Sequence, residues 1–278
     1  MKITHKEGRF DGKGKIKLYY QFWKPEKVKA VIVAAHGLAE YSGRYTHVAE
    51  HFANEGIAFY ALDHRGHGLS EGPRGHIDSF DDYLEDLDTF IDMVKKSEKG
   101  KKTILLGHSL GGTIAIAYAL KNPKKIDYLI LSSPALKLAS ELDPEIVKTI
   151  LELSKSNPTQ ELPNQIDPNN LSHDKQVCEK YDKDPLVFKT ITARFAVEFF
   201  TTMENLRKNA DKLKVPTLLL VAGEDKLVSP EGSKEFAKNV KEKDFKMKIY
   251  DGFYHELFNE LEKEKVFKDI DDWLKKRI

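Results

Sequence analysis

The sequence predicts an α/β protein built on a mostly parallel sheet, with helices on both faces and one inserted helical segment. Three observations carry that expectation. Short apolar runs alternate with longer segments of helical period, the runs are β-branched and nearly continuous in hydrophobicity, and residues 136–207 interrupt the alternation. No internal repeat, low-complexity tract or Pro/Gly-rich linker divides the 278 residues. One hydrophobic core can serve a chain of this length, so a single domain spanning 1–278 is expected, with 136–207 set into it as a helical cap.

The opening reads as a hairpin, because residues 15–23 (KIKLYYQFW) alternate after the turn sequence Asp11-Gly12-Lys13-Gly14. Buried strands follow at 29–35, 57–62, 103–106, 127–132, 216–222 and 246–250. Runs without a polar face belong to parallel strands covered on both sides. Between the second and third, Phe80, Tyr83, Leu84, Leu87, Phe90, Ile91 and Val94 recur at helical spacing and predict an amphipathic crossover helix. The run TIAIAYAL is helical in period and is stopped by Asn122-Pro123; Val266, Phe267, Ile270, Trp273 and Leu274 form the stripe of a terminal helix. The stretch 136–207 has helical patterns at 142–153 and 192–206, separated by prolines, and no glycine occurs between Gly112 and Gly223.

Charge and cysteine usage exclude several functions. Forty-five Lys+Arg against 44 Asp+Glu leave a net charge of +1, with no basic stripe of interleaved aromatics, so nucleic-acid binding is disfavoured. Cys178 is the only cysteine and can form no intrachain disulfide; a buried, inert thiol is expected. The start MKITHKEGRF lacks the apolar stretch of a secretory signal, and runs such as 30–35 fall far short of the roughly 20 residues that span a bilayer. A cytoplasmic protein is therefore expected. Oligomeric state is not legible in the sequence.

The chemistry gathers around Gly107-His108-Ser109-Leu110-Gly111-Gly112, which follows a strand run and opens a helical one. A bare G-x-S-x-G arises by chance in roughly one chain in ten of this length. The strand-turn-helix context is what makes it specific, since flanking glycines let a serine hydroxyl stand clear on a strained turn. Serine is a weak nucleophile at neutral pH and needs a histidine base that is oriented by a carboxylate. In this architecture the chain order is Ser, acid, His, and only His173 and His255 follow Ser109. His173, among Asn, Asp and Lys residues, reads as a solvated loop histidine; His255 sits just past a strand run, where a base can reach the turn. Asp225, just past TLLLVA, is the expected acid, with Glu224 as the alternative. Acyl transfer also needs backbone N–H donors for the oxyanion, each worth about 2.7–4 kcal/mol of barrier. Leu110 and Leu38 occupy the positions that supply them. The cluster Asp63-His64-Arg65-Gly66-His67-Gly68 reads as a structural loop, because its histidines are three apart in glycine-broken chain without a second ligand pair. No metal or cofactor is expected, and His36 is expected to tie its loop down by hydrogen bonds.

Five blocks resemble the α/β-hydrolase serine hydrolases of the monoacylglycerol lipase and lysophospholipase group: HGLAEYSGRY at 36–45, DHRGHGLSEG at 63–72 with RGH at 74–76, GHSLGG at 107–112, GEDKLVSP at 223–230 and YHELFNE at 254–260. The resemblance implies the α/β-hydrolase fold. It also assigns Ser109, Asp225 and His255 as the triad, Leu38 and Leu110 as oxyanion donors, and residues near 136–207 as the cap. It further implies that Glu40 and Arg44 lie at the polar end of the acyl pocket, where glycerol hydroxyls bind. Tyr41 departs from the histidine that such proteins often carry inside that block. Pairing of Arg44 with Glu40, merely bracing the loop, is the alternative.

The function expected from these residues is hydrolysis of a small lipid ester, monoacylglycerol first, to fatty acid and glycerol through an acyl-enzyme on Ser109. A short-chain carboxylesterase or a lysophospholipase is the alternative within the class, and a non-catalytic hydrolase-like binding protein is the alternative outside it. A peptidase of the same fold would need an acidic subsite for a free amine, and none is evident. Ile146, Ile150, Phe195, Val197, Phe199 and Phe200 are expected either to line an acyl tunnel that makes transient contact with a membrane surface or to pack against the sheet.

Overall fold

The computed structural model describes residues 2–278. In chain order the elements are β1 (Ile3–Asp11), β2 (Lys17–Pro25), β3 (Ala30–Ala35), α1 (Thr46–Asn54), β4 (Ile57–Leu62), α2 (Asp81–Ser97), β5 (Lys102–His108), α3 (Leu110–Lys121) and β6 (Tyr128–Ser132). They continue with α4 (Pro144–Ser156), β7 (Glu161–Pro163), α5 (Lys175–Lys183), β8 (Thr190–Thr192), α6 (Ala193–Lys208), β9 (Thr217–Ala222), α7 (Pro230–Asn239), β10 (Phe245–Tyr250) and α8 (Glu264–Leu274). Eight strands make one sheet in the order β1-β2-β4-β3-β5-β6-β9-β10. The β1–β2 hairpin and the β2–β4 pair are antiparallel, and every other neighbouring pair is parallel. The chain has the α/β-hydrolase fold.

Two-sided burial explains why the central strands read as unbroken apolar runs. Along β3, Val31 and Val33 pack in the layer that contains Leu87 and Phe90 of α2 and Ile114 of α3. Ala30, Ile32 and Ala34 point the other way, into the layer that contains Phe52 of α1 and Val266 and Ile270 of α8. Helix α3 is buried from Leu110 through Ala119, because β5 lies under it and α2 and α6 flank it. A helix so enclosed can be apolar all round. At the sheet's edges β1 is exposed along most of its length and β10 alternates apolar residues with lysine, and Lys6, Lys246 and Lys248 discourage pairing with another chain.

Two helices escaped the sequence pattern. In α1 only Val48, Ala49, Phe52 and Ala53 are buried, and in α7 Phe236 is the one large buried side chain, so neither nine- or ten-residue helix displays enough turns for its period to stand out.

The chain between β6 and β9 contributes no strand to the main sheet. Its helices begin where side chains cap them: Asp143 accepts from Glu145 N ahead of α4, Asp174 from Gln176 N ahead of α5, and Thr192 from Phe195 N ahead of α6. Unlike the mostly helical expectation, the segment also holds a two-stranded ribbon, with Leu162 of β7 opposite Ile191 of β8. Helix α6 anchors the segment by burying Phe195 and Phe199 in the core that α3 shares. Helix α4 packs on α6 and leaves Ile146, Val147 and Leu151 exposed. Cys178 is buried with its thiol donating to Ser172 O, and burial raises its pKa. Among the described residues no helix is long and apolar enough to cross a membrane.

Candidate active site

Four loops at the C-terminal ends of β3, β5, β9 and β10 meet at one point, the usual place for a site on a parallel sheet. The link from β5 to α3 sets it up. Ser109 has φ 53° and ψ −119°, a conformation that costs a non-glycine residue about 1–3 kcal/mol. Its neighbours admit no side chain: a Cβ on Gly107 would stand 2.3 Å from Gly111 O, and one on Gly111 would stand 2.0 Å from Ala35 O. The turn is held by Ser109 N–H donating to Ser132 O (3.1 Å), and by Gly112, Thr113 and Ala135 N–H groups donating to Ser109 O (2.9, 3.1 and 3.0 Å).

Asp225 and His255, the expected acid and base, are in hydrogen-bond contact. His255 Nδ1 donates to Asp225 Oδ2 at 2.7 Å, and Asp225 Oδ1 accepts from Leu227 and Val228 N–H at 2.9 and 3.0 Å. Two backbone donors thus fix the carboxylate, and the carboxylate fixes the imidazole tautomer with Nε2 left free to accept a proton. Glu224, the alternative acid, is exposed. Both His255 and Ser109 line one cavity of about 790 Å³. Burial opposes the imidazolium of His255, but the Asp225 charge and hydrogen bond, reinforced by Glu256 and Glu40, outweigh it and raise the pKa above the ordinary 6.5.

His108 stands beside that base with ring centroids 4.8 Å apart, yet behaves oppositely. Burial and the positive charge of His255 push it down to about 3, and its ring is held by Ser132. It stays neutral and does not compete for the proton.

The loop after β3 runs past the nucleophile, for a Cβ on Gly37 would lie 3.2 Å from the Ser109 Cβ. Its shape is set from several sides. Gly37 N–H donates to Glu40 Oε1 at 2.6 Å, and Ala39 sits at φ 60°. His36 Nδ1 donates to Gly37 O (2.8 Å), while its Nε2 accepts from His64 N–H (2.9 Å). Burial pushes His64 down to about 3 and His67 to about 4, so these histidines brace the loop as neutral rings. Asp63 accepts from Ser42 and Leu69 N–H at 2.7 and 2.8 Å, and a Cβ on Gly68 would meet its Oδ2 at 2.1 Å. The Asp63–Gly68 cluster is a scaffold under the site. Among the described residues, the N–H groups of Leu38 and Leu110 are taken up by no hydrogen bond within the chain.

Glu40 lines the large cavity, whereas Arg44 lies behind it and lines a small void with His108, Phe258 and Asn259. The guanidinium donates to Glu40 Oε2 (2.9 Å) and makes two parallel bonds to Glu256 (2.6 and 2.8 Å). Glu256 and Tyr181 lie at the site without having been singled out in the sequence. The first is hidden inside the YHELFNE block, and the second comes from α5, which carries no motif. Tyr181 is among the residues that line the cavity, and its hydroxyl is buried with no partner among the described residues. Ile146, Ile150, Phe199 and Phe200 line the cavity, but Phe195 and Val197 do not; Phe195 belongs to the core beneath. His173 is an exposed loop residue, as expected, but it is not idle. It bonds Glu260 at 2.9 Å and stacks on Tyr254 with centroids 3.8 Å apart, stitching the inserted segment to the loop that carries His255.

Residues 26–262 match the family described as serine aminopeptidase, S33. A monoacylglycerol lipase of Mycolicibacterium smegmatis is 34% identical over 273 residues, covering 98% of this chain and 97% of that protein. The chain belongs to the monoacylglycerol lipase family of α/β-hydrolases. Human monoglyceride lipase is 34% identical over 268 residues, 94% of this chain and 87% of its own length. The crystal structure of a monoacylglycerol lipase from Paleococcus ferrophilus matches with a TM-score of 0.83 at 34% identity, covering 99% of this chain and 98% of that one.

Two outcomes follow from this geometry. The neutral form of His255 is the expected base, so kcat/KM should fall as pH drops through a pKa lying above 6.5, and a flat profile from pH 5 to 8 would contradict the assignment. Asp225→Asn should leave the fold intact while lowering kcat by about 10⁴-fold through the wrong tautomer; steady-state kinetics within tenfold of wild type would remove Asp225 from the triad.

Proposed function

We propose that the protein is a serine ester hydrolase that cleaves monoacylglycerols to fatty acid and glycerol. One observation carries this reading: Ser109 and the His255–Asp225 pair open into a cavity of about 790 Å³ whose α4 and α6 walls are largely apolar, while the groups beside Ser109 are polar. Ser109 Oγ attacks the ester carbonyl as His255 Nε2 takes its proton, and Asp225 stabilises the imidazolium. The tetrahedral oxyanion receives the N–H groups of Leu38 and Leu110. His255 then protonates the departing glycerol, and next activates a water that releases the fatty acid from the acyl-enzyme. The chemistry needs no metal.

Residues 136–207 act as the cap in this scheme. The acyl chain lies along Ile150, Phe199 and Phe200, and the glycerol lies at the polar end. Glu40 Oε1 already accepts from Gly37 and Tyr45 and its Oε2 from Arg44, which leaves one acceptor position on Oε2 for a glycerol hydroxyl. Next to Ser109 a free amine, as an aminopeptidase substrate would present, meets carboxylates that Arg44 already engages, those of Glu40 and Glu256. The exposed Ile146, Val147 and Leu151 on α4 suit transient contact of a cytoplasmic protein with a lipid surface that delivers the substrate.

Fatty-acid release from 1-monooleoylglycerol, dioleoylglycerol, lysophosphatidylcholine and a short-chain nitrophenyl ester tests the proposal. The monoglyceride should lead, and Ser109→Ala should lose at least about 10⁴-fold in kcat. Turnover of the short ester alone would overturn the lipid assignment. An active Ser109→Ala variant would overturn the mechanism.

A further inference from the structure

We propose that Arg44 is a positioning residue for catalysis, not a head-group contact: through Glu40 and Glu256 its guanidinium fixes the oxyanion-donor loop and the base-bearing loop relative to one another. The proposal rests on the ester-hydrolase reading above. Glu40 is the acceptor for Gly37 N–H, one residue before the Leu38 donor, and Glu256 directly follows His255. The two loops come from opposite ends of the sequence, and Arg44 spans 212 positions to join them. Its fork supplies three of the bonds, one to Glu40 and two to Glu256. Further donors hold the two acids: Tyr45 donates to Glu40 Oε1 (2.8 Å) and Asn259 to Glu256 Oε2 (2.7 Å).

Stability alone is a weak account of this triad. The side chains are 11% exposed for Arg44 and 4% for each acid, and burying such charges recovers little that apolar residues of equal volume would not. A head-group role fits no better, since Arg44 does not line the main cavity and its flat face is covered by the Tyr181 ring at 4.9 Å. What the guanidinium does reach is the pair of carboxylates whose field acts on His255. The groups facing His255 are Asp225 from the loop after β9, Glu256 from its own loop, Glu40 and Arg44 from the loop after β3, and the neutral His108 at the end of β5. Arg44 sets the distance of the base from the oxyanion donors and moderates the negative charge around the base.

Arg44→Met, Arg44→Lys and Glu256→Gln, each checked for folding by circular dichroism and Tm, separate these roles on 1-monooleoylglycerol and on a short-chain nitrophenyl ester. Misplacing the base against the donors should lower kcat by about 10²-fold on both esters alike, with KM little changed. The acid limb of kcat/KM should move up in Arg44→Met, which leaves two uncompensated carboxylates, and down in Glu256→Gln. Arg44→Lys keeps the charge but not the fork, so it should restore the limb without restoring kcat. A KM increase confined to the glycerol ester would overturn the proposal in favour of a head-group contact. A lowered Tm with unmoved kcat and pH limbs would reduce Arg44 to a brace. A wild type that turns over only the nitrophenyl ester would sink the substrate assignment while leaving this test readable; a wild type inert on both would end both.

Discussion

The backbone crossing at Ser109 is the constraint on which the rest depends. Holding a serine at φ 53° requires that α3 start almost in contact with β3, and the 2.0 Å that would separate a Gly111 Cβ from Ala35 O measures how close that approach is. The same closeness brings the β3 loop against Ser109, so the strained turn and the proposed oxyanion donors come from one packing decision. Helix α3 must then be buried on every side, which fixes its apolar composition and the helices on either side of it. The cost of the strain, about 1–3 kcal/mol, is small beside the burial that enforces it.

Around that fixed point, charge rather than burial distinguishes the histidines. His108 and His255 are both buried with ring centroids 4.8 Å apart, yet the carboxylate of Asp225 raises one while the other, buried with no carboxylate bonded to it and facing the charge of His255, falls to about 3. His36, His64 and His67 are likewise neutral struts. In this histidine-rich site His255 alone is bonded to a carboxylate that two backbone N–H groups hold still, which is what marks it out as the proposed base.

Much of this was legible in the sequence because local rules and the global fold agree. Strands β3, β4, β5, β6 and β9 appeared as apolar runs because both faces of each are covered, and chain order narrowed the base to His173 and His255, of which only His255 sits just past a strand run. Elements that need tertiary contact to declare themselves stayed hidden. Helices α1 and α7 bury too few large side chains to show a period, and the β7–β8 ribbon is three residues long on each strand. Apolar cap residues could not be sorted from sequence, since Phe195 and Phe199 lie four apart on one helix and yet only Phe199 reaches the cavity. The Arg44–Glu256 pair, a contact between the two ends of the chain, has no local signature, and neither has the unpartnered Tyr181 hydroxyl.

The account stands or falls on Ser109 being the activated nucleophile. Stoichiometric labelling with an alkyl fluorophosphonate, followed by peptide mapping, reads this directly without assuming any substrate. One phosphonyl group per chain on the peptide containing Ser109, blocked by prior incubation with monoacylglycerol and absent in Ser109→Ala, is the predicted result. Labelling at another residue, or none with the folded protein at a pH where His255 is neutral, would contradict it.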